Sequence, residues 1–250
     1  MIKIAHDARP QARTLLVAVT LSVLLWFVPL AGLVTFPFRL FVTFVHEGGH
    51  ALAAILTGNA VRSLVVNFDG SGEVLATHGG LLSGLLISSA GYLGAMAFGA
   101  ALLVLIRRSI AARFVLMASA GFVLTMTLAY GIFGSLFTVV SGVLLAGALL
   151  AAARFAPPRV AAFLVSFLAV QCILNAIFDL KTVFFLSSPF APGVHTDAAN
   201  MAAATGIPAI FWTFVWVAAA FLILSFALRT YAASRRAPEQ EDLPFDEPSQ

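Results

Sequence analysis

Charge is what this sequence has least of. Only 10% of its 250 residues are Asp, Glu, Lys or Arg, 61% are apolar, and the mean hydropathy is +1.01. Soluble globular chains carry roughly a quarter charged residues, so this composition belongs to a polytopic membrane protein. Cysteine is nearly absent too. The single Cys172 lies in an apolar run, which excludes a disulfide framework and a cysteine-ligated zinc site. A net charge of +3 is too small to suggest a nucleic-acid partner. Long polar connections are also lacking, which leaves no room for a folded accessory domain.

The apolar runs cover residues 14–35, 38–55, 81–106, two halves of 113–154 meeting near Tyr130-Gly131, 160–186 and 208–230. Each is long enough to cross a bilayer, giving about seven transmembrane helices. A signal peptide is the competing reading for the first run, but the run is too long for a typical h-region and no small-residue cleavage site precedes Phe36. Between the second and third runs, Arg62–Phe68 and Glu73–Thr77 are two β-rich segments around Asp69-Gly70-Ser71-Gly72, a hairpin pattern. Asp197–Thr205 predicts a short helix before the last run. The expected fold is therefore an all-α polytopic membrane protein with one small β-hairpin at about 61–77. Residues 1–234 form a single domain, and 235–250 form a polar, acidic tail expected to be disordered.

Acidic residues are scarce where they would be buried. Only Glu47 and Asp179 fall inside apolar runs; the others lie in tails or connections. Glu47 belongs to His46-Glu47-Gly48-Gly49-His50, in the middle of the second run. On a helix His46 and His50 are one turn apart and project from the same face. Two neutral imidazoles make half of a tetrahedral zinc site, and Glu47 lies close enough to act on a zinc-bound water. This is the H-E-x-x-H pattern of zinc peptidases. A polar helix face hydrogen-bonded inside the bundle is the alternative, although intramembrane ionisable groups are costly and mostly functional.

His46-Glu47-Gly48-Gly49-His50, in a chain of many spans and small loops, resembles the H-E-x-G-H form of the M50 family, the site-2 proteases, and most closely its M50B-like branch. The resemblance implies one Zn²⁺ held by both histidines and by an aspartate of a later transmembrane helix. It also implies cleavage of transmembrane protein substrates within the bilayer, with Glu47 as the catalytic base. A membrane-associated hairpin after the metal helix fits the same family. Ala90-Gly91-Tyr92-Leu93-Gly94 stands where the family has a Gly-rich motif in its second core helix, and its expected role is packing.

For the third ligand the sequence offers Asp179. His50 lies about 12 Å, and Asp179 about 10 Å, from the ends of their runs at 1.5 Å per residue. With three spans between them the two runs are parallel, so both groups lie at similar depth. An ion pair with Lys181 competes for Asp179, and Leu180-Lys181 departs from the family's Asp-Gly. Asn175, one turn earlier, is a candidate for orienting a ligand or binding a substrate carbonyl; an interhelical hydrogen bond is the alternative. His6 and His78 lie in the amino-terminal tail and at the hairpin's end. His195 and Asp197 are read as loop residues that could approach the mouth of the site. Val65 and Val66 are expected to present a strand edge to unwound substrate. The expected protein is thus an integral, multi-pass zinc metalloendopeptidase of the cell membrane, acting on a transmembrane protein. A membrane metal-ion transporter and a pseudoprotease that binds transmembrane helices remain the other readings.

Overall fold

The computed structural model describes residues 9–25, 27–28, 31–77, 79–107, 111–187 and 196–233. The tail 235–250 and His6, His78 and His195 lie outside the described residues. In chain order the elements are α1 (Arg9–Leu25), α2 (Ala31–Leu56), β1 (Val61–Val66), β2 (Gly72–Ala76), α3 (Leu81–Arg107), α4 (Ala112–Ala129), α5 (Leu136–Phe155), α6 (Pro158–Leu186), α7 (Asp197–Thr205) and α8 (Ala209–Ala232). A single 3-10 turn, Gly131–Phe133, joins α4 to α5.

Among the described residues, five helices are long and apolar enough to cross a membrane: α3, α4 with its following turn, α5, α6 and α8. Seven had been expected. The first apolar run is divided: α1 ends at Leu25 and spans 17 residues, short of the roughly 20 that a bilayer requires. The motif helix α2 has 26 residues, but Arg39, Glu47 and the two histidines dilute its apolar character.

Helix α3 is the centre of the bundle. It packs against α2, α6 and α8 and is touched by α7. Small residues permit this. Gly49 of α2 lies against the Ala90 carbonyl of α3, where any side chain would collide with backbone. The fully buried core joins Phe41 and Phe44 of α2, Met96 and Leu103 of α3, Leu116 and Val123 of α4, Val165 of α6 and Trp216 of α8.

The hairpin forms as the β-rich runs suggest, with β1 antiparallel to β2 and Val65 opposite Glu73. Its tip is an Asx turn: Asp69 Oδ1 accepts from the Ser71 amide at 2.9 Å and from the Ser71 hydroxyl at 2.7 Å. Those two bonds hold the solvated Asp69 carboxyl below the usual range. Leu64 and Val66 are fully buried beneath the hairpin.

The outer edge of β1 is not free. The Leu64 amide donates to the Tyr130 carbonyl at 3.2 Å. The Val66 amide donates to Thr138 Oγ1 at 2.9 Å, and that hydroxyl lies 3.2 Å from the Val66 carbonyl. The edge assigned to Val65 and Val66 from the sequence is therefore closed by the α4–α5 connection, and Val65 itself is paired within the hairpin. Antiparallel pairing alternates, so Gly72 and Val74, opposite Val66 and Leu64, direct their backbone groups away from β1. Among the described residues, no hydrogen bond closes the outer edge of β2.

Candidate metal centre and its cavity

A cavity of about 1330 Å³ lies between α2, the hairpin, α3, α6 and α7. His46, Glu47, His50, Tyr92, Asn175, Asp179 and Asp197 all line it, as do Gly72 to Ala76 of β2. Glu47 and His50 are nonetheless buried, at 5% and 7% exposure.

One helical turn brings His46 Nε2 and His50 Nε2 to 3.2 Å from each other. His50 Nδ1 lies 2.7 Å from the Ile87 carbonyl of α3, an atom that can only accept. Nδ1 therefore carries a proton, and in the neutral ring this leaves the Nε2 lone pair facing the cavity. The approach of α3 that makes this bond depends on Gly91, because a Cβ there would run into both Nε2 atoms.

The carboxylate that reaches these nitrogens is Asp197. Its Oδ2 is 3.5 Å from His50 Nε2. Donor atoms of His46, His50 and Asp197 all lie within 4.8 Å of one another. Asp179, the expected third ligand, lines the same cavity from α6 but is not in this group. Asp197 reaches the group by the path of the chain after α6. Helix α7 has nine residues, far too few to span a bilayer, and it packs back against α3 and α8. Thr196 caps it, accepting from the Ala199 amide at 3.2 Å, and Gly206 ends it at φ 72°. Ala198 and Met201 are buried beneath it, so its first residue, Asp197, is delivered to the metal-facing side of the bundle. A capped, Ala-rich nine-residue helix led by an acid was the signal in the sequence for this placement.

Other expected residues are placed as follows. Asn175 donates its amide to the Gln171 carbonyl at 2.9 Å, one turn back on its own helix, while lining the cavity. Lys181 lies 5.8 Å over the Phe178 ring, and no ion pair joins it to Asp179 among the described residues. Glu47 lies beside β2: a Cβ added to Gly72 would be 2.6 Å from Glu47 Oε1. The Thr43 hydroxyl, 2.7 Å from the Gly70 carbonyl, and Arg39, on the Asp69 carbonyl, tie the hairpin tip to α2 just before the motif.

The donor set fits zinc. Two imidazole nitrogens and one carboxylate oxygen are the usual three protein ligands of a catalytic zinc, and they leave a fourth position open. A lone pair on His50 Nε2 facing an aspartate is repulsive unless a cation or proton lies between them. Fold and site together define an integral membrane protein, mostly helical, with a histidine–carboxylate centre suited to one divalent cation. The family model of the Peptidase M50B-like family matches residues 15–227, and the chain belongs to that family. Among curated proteins and solved structures, nothing matches the chain.

Proposed function

We propose that this protein is an intramembrane zinc metalloendopeptidase that cleaves transmembrane or membrane-associated proteins, with the cell membrane as its expected location. The observation that carries this reading is the convergence of His46 Nε2, His50 Nε2 and an Asp197 oxygen beside a buried Glu47 that is not itself among the ligands. Membership of a peptidase family supports it.

His46, His50 and Asp197 would hold the ion. When bound, zinc lowers the pKa of its water and polarises the scissile carbonyl. Glu47 accepts the water's proton and returns it to the leaving amine nitrogen. His50 is held in its ligand tautomer by the Ile87 carbonyl. Polar side chains line much of the cavity, among them Thr43, Asn67, Glu73 and Asn200, so water can reach the buried Glu47. Asp179 and Asn175 face the same space from α6, where they can meet the polar groups of an unwound substrate. The outward backbone groups of Gly72 and Val74 offer such a segment a strand to pair with. An extended partner is needed there, because a helical substrate hides its peptide bonds.

Glu47→Gln tests this reading against a metal transporter or a helix-binding pseudoprotease. In proteoliposomes holding a model transmembrane substrate, the variant should keep its zinc and lose about 10²–10⁴-fold in cleavage, the worth of a general base. Cleavage at the normal rate removes Glu47 from the mechanism. Absence of cleavage in the parent protein across a panel of transmembrane substrates, together with zinc flux across the bilayer, would favour the transporter.

A further inference from the structure

We propose that Tyr92 is a positioning residue for the metal centre, its hydroxyl orienting the Asp197 carboxylate toward His46 and His50. The inference rests on the metal-binding reading above.

Four elements meet at this phenol. Tyr92 follows Gly91, whose backbone lies against both imidazoles, so the ring enters the cavity beside the ligands. Its ring meets His46 edge-on, with centroids 4.7 Å apart and planes at 84°. Its other face stacks on Trp216 of α8 at 5.3 Å and 30°. Trp216 is itself held: its indole N–H donates to Ser89 Oγ at 2.9 Å, and the residue is 1% exposed. The ring is therefore clamped between α2 and α8, in the cavity wall that it shares with His46 and with Asp197 of α7.

Asp197 needs such a partner. Its helix has nine residues and does not cross the bilayer, unlike the spans that present a rigid face to the cavity. A carboxylate can turn either oxygen toward a cation. A fixed phenol donor on one oxygen leaves the other for the metal, and a phenol stays protonated at neutral pH. Partners of this kind orient ligands throughout metalloproteins, and their loss typically costs 10–100-fold in metal affinity. The expected packing role of Ala90–Gly94 thus holds for its glycines, while Tyr92 adds a polar function.

The test is zinc affinity of the purified protein, measured by chelator competition, together with the visible absorption of the cobalt(II)-loaded protein. Tyr92→Phe keeps the ring contacts with His46 and Trp216 and removes only the hydroxyl. It should weaken zinc binding about 10–100-fold, shift the cobalt bands and leave the melting temperature of metal-free protein unchanged. In an Asp197→Asn background the same change should add nothing, because the hydroxyl acts through that carboxylate. Tyr92→Leu should also lower the metal-free melting temperature, which separates packing from positioning. Parent-like affinity and cobalt bands in Tyr92→Phe would overturn the proposal and leave the metal reading intact, as would a full additional loss in the Asp197→Asn background. If instead the parent protein binds no zinc, or Asp197→Asn binds it normally, the metal reading fails and the proposal with it.

Discussion

His50 is held in two directions by different parts of the chain. Nδ1 is tied to Ile87 of α3, and Nε2 faces His46 and Asp197. The consequence is a sharp contrast between two aspartates. Asp197→Asn should lose zinc affinity by more than the 10–100-fold typical of an outer-shell partner, whereas Asp179→Asn should hold its zinc. Metal analysis of the two purified variants checks this, and the opposite ranking would return the ligand role to Asp179. Gly91→Ala should release zinc with every ligand still present, because the new methyl occupies the space of both Nε2 atoms. At this scale the first half of the site was legible in the sequence, since His46 and His50 are related by one helical turn and nothing distant is needed. Asp197 was not, because its position depends on how the chain returns after α6. Restricting candidates to residues inside apolar runs favoured Asp179, which lines the same cavity but lies outside the group of three converging donors.

The hairpin shows the same division between local and distant information. Its two strands were readable from β-rich runs around a Gly-containing turn, and they pair antiparallel. Which edge stays open was not readable, because Tyr130 and Thr138 close β1 from far along the chain. The open edge leads to a prediction about substrate handling. The amide of Val74 points away from β1, so Val74→Pro removes an outward donor without removing a hairpin bond. Cleavage of a model transmembrane substrate should fall sharply with zinc content unchanged. Val66→Pro instead removes the amide that donates to Thr138 Oγ1 from a fully buried strand position, and should lower stability by about 1 kcal/mol or more. If Val74→Pro cuts at the parent rate, the hairpin is only a connection between α2 and α3.

Across the whole molecule, α3 organises the bundle. It receives α2 on one side, α6 and α8 on others, and supplies the Ile87 carbonyl, Gly91 and Tyr92 to the centre. Large apolar side chains on α8, among them Phe214, Phe221, Leu222 and Phe226, are exposed, as lipid-facing positions should be. The number of spans was less legible than their existence. Hydropathy marks α3 to α6 and α8 clearly, while α2 loses apolar character to the polar residues that make the site. Zinc that binds only the folded chain must also stabilise it. Free zinc at 100 times its dissociation constant should add about 2.7 kcal/mol, and a chelator should remove it. A melting temperature indifferent to both would mean that the centre is not formed in the native state. The account rests most heavily on the three converging donors, and X-ray absorption at the zinc edge of the purified protein tests them most directly. It predicts one zinc per chain with two imidazole nitrogens and carboxylate oxygen at about 2.0–2.2 Å, the carboxylate signal disappearing in Asp197→Asn and surviving in Asp179→Asn. A spectrum unchanged by Asp197→Asn, or sulfur in the coordination sphere, would contradict it.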